Sequence, residues 1–247
     1  MTEVFMDVQR GLPRQGPGND AATRRAITYC RDLPHGPDVL DIGCGPGRQS
    51  LVLADALAAR VTAADIHQEY LDELVFRSAG AGFGGQITPV LADMTDLAFE
   101  TARFDLIWAE GSAYIMGVGN ALRAWKAMLK PHGYLVLSEL LWLTDDPPRE
   151  AAVFFAQEYP AMTDIDGNLA IFAQEGYRVI GHFTIPDQAW WDEYYTPLKA
   201  KLPSLREKYS GDQEALELIQ MTETEIEIRQ TYGESYGYEF FVSQVAS

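Results

Sequence analysis

Val39-Leu40-Asp41-Ile42-Gly43-Cys44-Gly45-Pro46-Gly47-Arg48-Gln49-Ser50 is the stretch around which this chain of 247 residues is organised. A short apolar run ends on an aspartate and passes through three glycines spaced by single residues. It then enters the helical pattern Ser50-Leu51-Val52-Leu53-Ala54-Asp55-Ala56-Leu57. That order predicts a buried strand, a tight turn and a helix start. Glycines in such a turn let backbone approach a ligand closely, and the helix N-terminus adds free N–H groups and partial positive charge.

Dinucleotides and S-adenosylmethionine both use turns of this kind. A dinucleotide fingerprint, G-x-G-x-x-G, needs its third glycine at position 48 or 50, where Arg48 and Ser50 stand. The turn instead resembles the first motif of class I S-adenosylmethionine-dependent methyltransferases, D-x-G-x-G-x-G, with Asp41, Gly43, Gly45 and Gly47 matching each position. A carboxylate beside the turn suits a ligand that brings an ammonium and a sulfonium. The resemblance implies an α/β fold with a doubly wound, seven-stranded, mostly parallel sheet (Rossmann-like). It also implies S-adenosylmethionine as cofactor, S-adenosylhomocysteine as product, and no metal. Gly43, Cys44, Gly45 and Gly47 would then admit the methionine end, with Asp41 assisting its amine.

Bulk properties bound the alternatives. With 47% hydrophobic and 22% charged residues, the chain reads as soluble and globular, one large domain or a domain with an insertion. The 36 acidic against 19 basic side chains give a net charge of −17, and no basic patch offers a nucleic-acid surface. The acidity reads as a solubility feature. Only Cys30 and Cys44 occur, which points to no disulfide framework and a cytoplasmic location. No signal peptide is expected beside Glu3 and Asp7, and no membrane span, because the longest apolar segment, Tyr134 to Leu143, is interrupted by Glu139.

Residues 1–35 are expected to form an N-terminal helical cap segment. Gly11 to Gly18 is too rich in Gly and Pro for regular structure, and a helix should run from about Asp20 to Arg31. The turn-rich stretch is either a flexible leader or a lid that brings Arg14 and Gln15 to a ligand carboxylate, and the resemblance favours the lid.

Residues 36–185 are expected to form the cofactor-binding core. Arg60 to Asp65 reads as the second strand, with Asp65 at its carboxyl end, about twenty residues past the glycine turn, where a carboxylate takes ribose hydroxyls. Ile66 suits an adenine face. After a helix over 67–78 and a glycine-rich loop, Ile87 to Leu91 forms the third strand. By resemblance, Asp93 accepts from the adenine amino group and Met94 donates its backbone N–H to the ring. Phe104 to Ala109 is the fourth strand, and Glu110, Ser112 and Tyr114 follow at the ligand edge. Glu110 is a candidate base or ammonium anchor, Tyr114 a second catalytic candidate, and Ser112 a substrate contact. A helix over 120–129 leads through Leu129-Lys130-Pro131-His132-Gly133-Tyr134-Leu135-Val136, which resembles the family's turn before the fifth strand, into a strand over 134–139. Helices near 150–158 and 169–175 precede a sixth strand over 177–185.

Residues 186–235 are expected to be a helical insertion before the last strand, which occupies 236–247. Its first helix should present Trp190, Trp191, Tyr194 and Tyr195 on one side, with Asp192 and Glu193 turned away and Pro197 ending or kinking it. These rings wall a substrate pocket or hold a cation, or they pack on the core or in a homodimer contact. The helix over 212–229 reads as packing plus a solvated face.

The resulting expectation is methyl transfer from S-adenosylmethionine to a small-molecule N, O or C acceptor by in-line displacement. Protein methylation, a non-catalytic S-adenosylmethionine-binding regulator and a nicotinamide-dependent reductase are the alternatives.

Overall fold

The computed structural model describes residues 3–246. Seven strands form one sheet: β1 (Asp38–Ile42), β2 (Arg60–Asp65), β3 (Ile87–Leu91), β4 (Phe104–Glu110), β5 (Leu129–Trp142), β6 (Tyr177–Thr184) and β7 (Tyr236–Val245). Their order is β3-β2-β1-β4-β5-β7-β6. Pairing is parallel from β3 through β5, while β7 runs antiparallel to both β5 and β6. Both faces are covered, so the strand interiors are nearly continuous apolar runs. Successive residues separate to opposite sides. Val39, Leu106, Trp108 and Val136 join one core, and Leu40, Ile107, Ala109 and Leu137 the other.

The first core is roofed by α2 (Asp20–Ile27), α3 (Arg48–Leu57) and α4 (Gln68–Gly80), through residues such as Ala26, Leu53 and Leu74. The second is closed by α5 (Val118–Trp125) and α7 (Ile165–Gln174), through Leu122, Trp125 and Phe172. Asn19 caps α2 by accepting from Ala22 N at 2.8 Å, and Asp164 caps α7 by accepting from Gly167 N at 2.7 Å. No helix among the described residues is long and apolar enough to cross a membrane.

Several local expectations change. The N-terminal helical cap gains a first helix, α1 (Glu3–Gln9), whose bounds the sequence did not give, and Val4 and Val8 bury its apolar side. Lys201 Nζ donates to its terminal carbonyls, at 2.8 Å to Asp7 O and 2.9 Å to Val8 O. The following Gly/Pro stretch is fastened by Arg77, which donates to Pro13 O at 2.9 Å and Leu12 O at 3.1 Å. The helix expected to reach Arg31 ends at Ile27, because Thr28 N and Tyr29 N turn back to Arg25 O and Ala26 O. The Lys130-to-Gly133 segment does not precede β5 but lies inside it, as an irregularity where pairing slips between Phe104 and Leu106 and His132 takes a φ of 64°.

The insertion folds as a short helix α8 (Gln188–Trp190), a π-turn over Trp191–Tyr195, α9 (Thr196–Lys208) and α10 (Gln213–Tyr232), with α6 (Arg149–Glu158) nearby in the first core. Pro197 does not end the helix. It sits in the first turn of α9, directly after the π-turn over Trp191–Tyr195. Glu193 is not turned to solvent as the pattern suggested. The π-turn rotates it inward to meet Arg14.

Candidate functional site

A cavity of about 640 Å³ opens along the carboxyl ends of β1, β2 and β4 and runs beneath α1, α6, α8 and α10. At its edge the glycine turn takes left-handed backbone angles, with φ of 69° at Gly43, 53° at Gly45 and 82° at Gly47. A Cβ on Gly43 would stand 2.6 Å from Ser112 Cβ. Gly43, Cys44 and Gly45 line the cavity, whereas Gly47 does not. Its Cβ would fall 2.0 Å from Leu74 Cδ1, so Gly47 serves the packing of α3 against α4 rather than admitting a ligand.

Asp41 also stands back from the cavity, contrary to the role expected for it. Its side chain is wholly buried, and it accepts from Ser50 Oγ and, at 3.4 Å, from Gln49 Nε2 in the first turn of α3. Burial first, offset by the Ser50 bond, pushes its carboxyl up to about 7. Gln49, which also donates to Cys44 O at 3.1 Å, is the residue that reaches the cavity wall. Asp41 therefore braces the turn.

At the neighbouring edge the expected group assembles. Asp65 Oδ2 accepts from Gly45 N at 2.8 Å, and its Oδ1 accepts from His67 N at 2.9 Å, which fixes the carboxylate across the glycine turn. Ile66 is 57% exposed and projects onto the cavity wall. Asp93 Oδ1 accepts from Thr95 N at 2.8 Å and Oγ1 at 2.7 Å, and these bonds hold its carboxyl below the usual value. Met94 lies beside it, its carbonyl accepting from Trp125 Nε1 at 3.2 Å.

Glu110 and Arg14 meet at the mouth between the N-terminal segment and β4. Arg14 is only 5% exposed, and each of its nitrogens donates to a carboxylate: Nη1 to Glu110 Oε2 at 3.0 Å, Nε to Glu193 at 2.9 Å and Nη2 to Asp20 at 3.0 Å. The expected free grip on a ligand carboxylate is thus already engaged. Glu110 Oε1 accepts from Thr23 Oγ1 at 2.7 Å and Trp108 Nε1 at 2.9 Å. With both oxygens bonded, Glu110 is a fastening between cap and sheet and not the free base that the sequence suggested.

Ser112 is likewise on the glycine-turn side, donating to Ile42 O at 2.7 Å. Tyr114 lines the cavity and meets Tyr159 edge-on at 5.6 Å. Burial raises its phenol, which keeps the hydroxyl protonated at neutral pH.

The far lobe is aromatic. Trp190, Tyr194 and Tyr195 line it as expected, and all three are buried within the chain itself. Trp191 does not, because its Nε1 donates outward to Asp187 Oδ2 at 3.0 Å. Opposite stand residues that the periodicity left unassigned: Tyr236 and Tyr238 of β7, Phe155 of α6 and Tyr159 just after it, and Glu225 of α10. Tyr236 and Tyr238 are two apart on a strand, a spacing that places both on one face and was legible. Glu225 had no such signal. Arg229 stacks over Trp190 at 3.8 Å from behind and bonds Tyr236 O at 2.9 Å.

The residues present fit S-adenosylmethionine. Ile66 offers an exposed apolar slab between two carboxylates. Gly43 and Gly45 leave a cradle that side chains would fill, and the buried Gln15 Oε1 beside Gly45 has no partner among the described residues. Among those residues, no group of three or more His, Cys, Asp or Glu gathers as a metal site.

The sequence pattern of the methyltransferase-domain family matches residues 39–133. The O-methyltransferase resE of Aspergillus sclerotiorum is 25% identical over 200 residues, 75% of this chain and 76% of that protein. The 27-O-demethylrifamycin SV methyltransferase of Amycolatopsis mediterranei is 29% identical over 135 residues, 53% of this chain and only 50% of that enzyme. In fold, the chain is similar to a methyltransferase of Geobacter sulfurreducens crystallised with S-adenosyl-L-homocysteine. The TM-score is 0.85 at 19% identity, covering 99% of this chain and 98% of that one. Glycine turn, sheet order, domain pattern and relatives agree: residues 39–133 match a methyltransferase domain, and the chain has the fold of S-adenosylmethionine-dependent methyltransferases.

Proposed function

We propose that the protein moves the methyl group of S-adenosylmethionine to a small-molecule acceptor held in the aromatic lobe. One observation carries this reading: the edge bearing Asp65 and Asp93 and the ring-lined lobe are parts of a single continuous cavity. The sulfonium supplies an already activated methyl group, so the protein has to align and enclose rather than activate.

In this reading Asp65 takes the ribose hydroxyls with its remaining lone pairs. Ile66 lies on the adenine, Asp93 accepts from the adenine amino group, and Met94 donates its backbone N–H. Gly43, Cys44 and Gly45 give the methionine end room, with Gln15 and Gln49 as its polar neighbours and Asp41 acting through Gln49. Arg14, joined to Glu110 and Glu193, holds the N-terminal segment over this end. Tyr114 marks the passage to the acceptor, and Trp190, Tyr194 and Tyr195 exclude water from it. The names of the relatives support a small-molecule acceptor, and two free, buried thiols agree with a cytoplasmic location.

Titration calorimetry with S-adenosylmethionine and S-adenosylhomocysteine, followed by a product assay over alcohols, phenols, amines and thiols, tests the proposal. Uptake of the cofactor with a methylated small molecule supports it. Absence of uptake overturns it.

A further inference from the structure

Glu225 enters the far lobe from α10, a helix whose sequence suggests only packing and a solvated face. It accepts from Tyr195 Oη at 2.7 Å, and no Lys, Arg or His among the described residues pairs with it. The basic side chains that line the cavity, Arg14, Arg48 and His67, all lie at the cofactor edge, and each is bonded there to a carboxylate. Glu225 therefore lies among ring faces beside a second lining carboxylate, Glu158, while the guanidinium behind Trp190, that of Arg229, is paired with Asp187 Oδ1 at 2.6 Å.

Two physical points bear on what such a lobe prefers. An enclosed carboxylate without a cation loses hydration that one hydroxyl does not replace, and its carboxyl is accordingly raised by burial. Ring faces carry the negative side of an aromatic quadrupole, so they repel a second anion and attract a cation. Rings and carboxylate together describe a receptor for a positively charged hydrogen-bond donor carried on an apolar body.

We propose that the methyl acceptor is an organic amine that binds as its ammonium ion, with its N–H groups paired to Glu225 and its carbon frame packed among Trp190, Tyr194, Tyr195 and Tyr238. One N–H proton passes to the Glu225 carboxylate, and the freed nitrogen lone pair forms the N–C bond as the sulfonium S–C bond breaks and S-adenosylhomocysteine leaves. This rests on the reading of the other end of the cavity as the S-adenosylmethionine site. Glu225 is then the residue that sets acceptor charge.

The test uses the full chain saturated with S-adenosylhomocysteine, near neutral pH, titrated with 2-phenylethylamine and n-hexylamine. 2-Phenylethanol, 1-hexanol and phenylacetate serve as neutral and anionic matches. At least one amine should bind about tenfold or more tightly than its alcohol, and phenylacetate should bind weakest. In Glu225→Gln, which keeps a partner for Tyr195, that preference should shrink to within about threefold while S-adenosylhomocysteine affinity stays unchanged. The proposal is overturned by amines that fail to bind, by alcohols that bind as well, or by a preference that survives in the variant. It is also overturned if the variant alters only the ratio of S-adenosylmethionine to S-adenosylhomocysteine affinity, since Glu225 would then serve the sulfonium. Failure of S-adenosylhomocysteine to bind at all defeats the cofactor reading itself, and the first titration shows that separately.

Discussion

Arg14 Nη1 donates to Glu110 Oε2 at 3.0 Å, joining the N-terminal segment to the end of β4 across 96 positions of sequence. Both side chains are almost wholly buried, and Arg14 also neutralises Glu193 and Asp20. Removing one member of such a cluster leaves charge in a dry place. Arg14→Met should cost about 3 to 5 kcal/mol in urea unfolding and weaken S-adenosylhomocysteine binding. Adding Glu110→Gln should recover about 1 to 3 kcal/mol of that loss, and strict additivity of the two changes would contradict the coupling.

Asp65 bridges the two halves of the cofactor edge by accepting from Gly45 N and His67 N. Asp65→Ala should lower S-adenosylmethionine affinity by about 1 to 3 kcal/mol, the scale of leaving polar groups without partners. Calorimetry checks this, and affinity equal to that of the unmodified protein would remove Asp65 from the ribose site.

Gly47 separates packing from binding. Gly47→Ala puts a methyl group against Leu74 and a side chain into left-handed backbone, for a stability loss of about 1 to 3 kcal/mol in denaturant melts. Leu74→Ala in the same chain should relieve the clash but not the backbone strain. A neutral effect of Gly47→Ala would place the turn in a different conformation.

Glu139 sits at the inner end of β5, 1% exposed, with neither oxygen in a hydrogen bond among the described residues. Burial pushes its carboxyl up from 4.5 to about 8, with a nearby Tyr159 hydroxyl opposing. Because the folded value is raised, the unfolded chain ionises first. The stability contributed by Glu139 should therefore be full below pH 4.5, fall as pH rises towards about 8, and level off above. Asp41 contributes in the same direction up to about 7. Glu139→Gln should flatten the decline and gain up to about 4 kcal/mol near pH 9, read from urea midpoints across the range. A variant as pH-sensitive as the parent would relocate the titrating group.

Local order was legible wherever a residue's neighbours in sequence are also its neighbours in space. The strand-turn-helix at Val39 to Leu57 and the position of Asp65 at the end of β2 rest on apolar periodicity and glycine spacing, which act over a few residues. The extension of β5 back to Leu129 was not legible, because Pro131 and Gly133 carry turn chemistry and only pairing with β4 draws them into the sheet. The bounds of helix α1 were equally hidden. Its carbonyls are capped by Lys201, which lies about two hundred positions away.

Fold class and cofactor were thus determined by the sequence alone, since a parallel sheet needs apolar strands and the glycine turn leaves few ligands that fit it. Tertiary structure decided how the charges are used. It withdrew Asp41 into the core and closed Glu110 onto Arg14. It also brought Glu225, from an acidic helix that seemed only solvated, into the ring-lined lobe. A carboxylate looks the same in sequence whether it faces water, a guanidinium or an enclosed aromatic wall, and only the packing around it settles which.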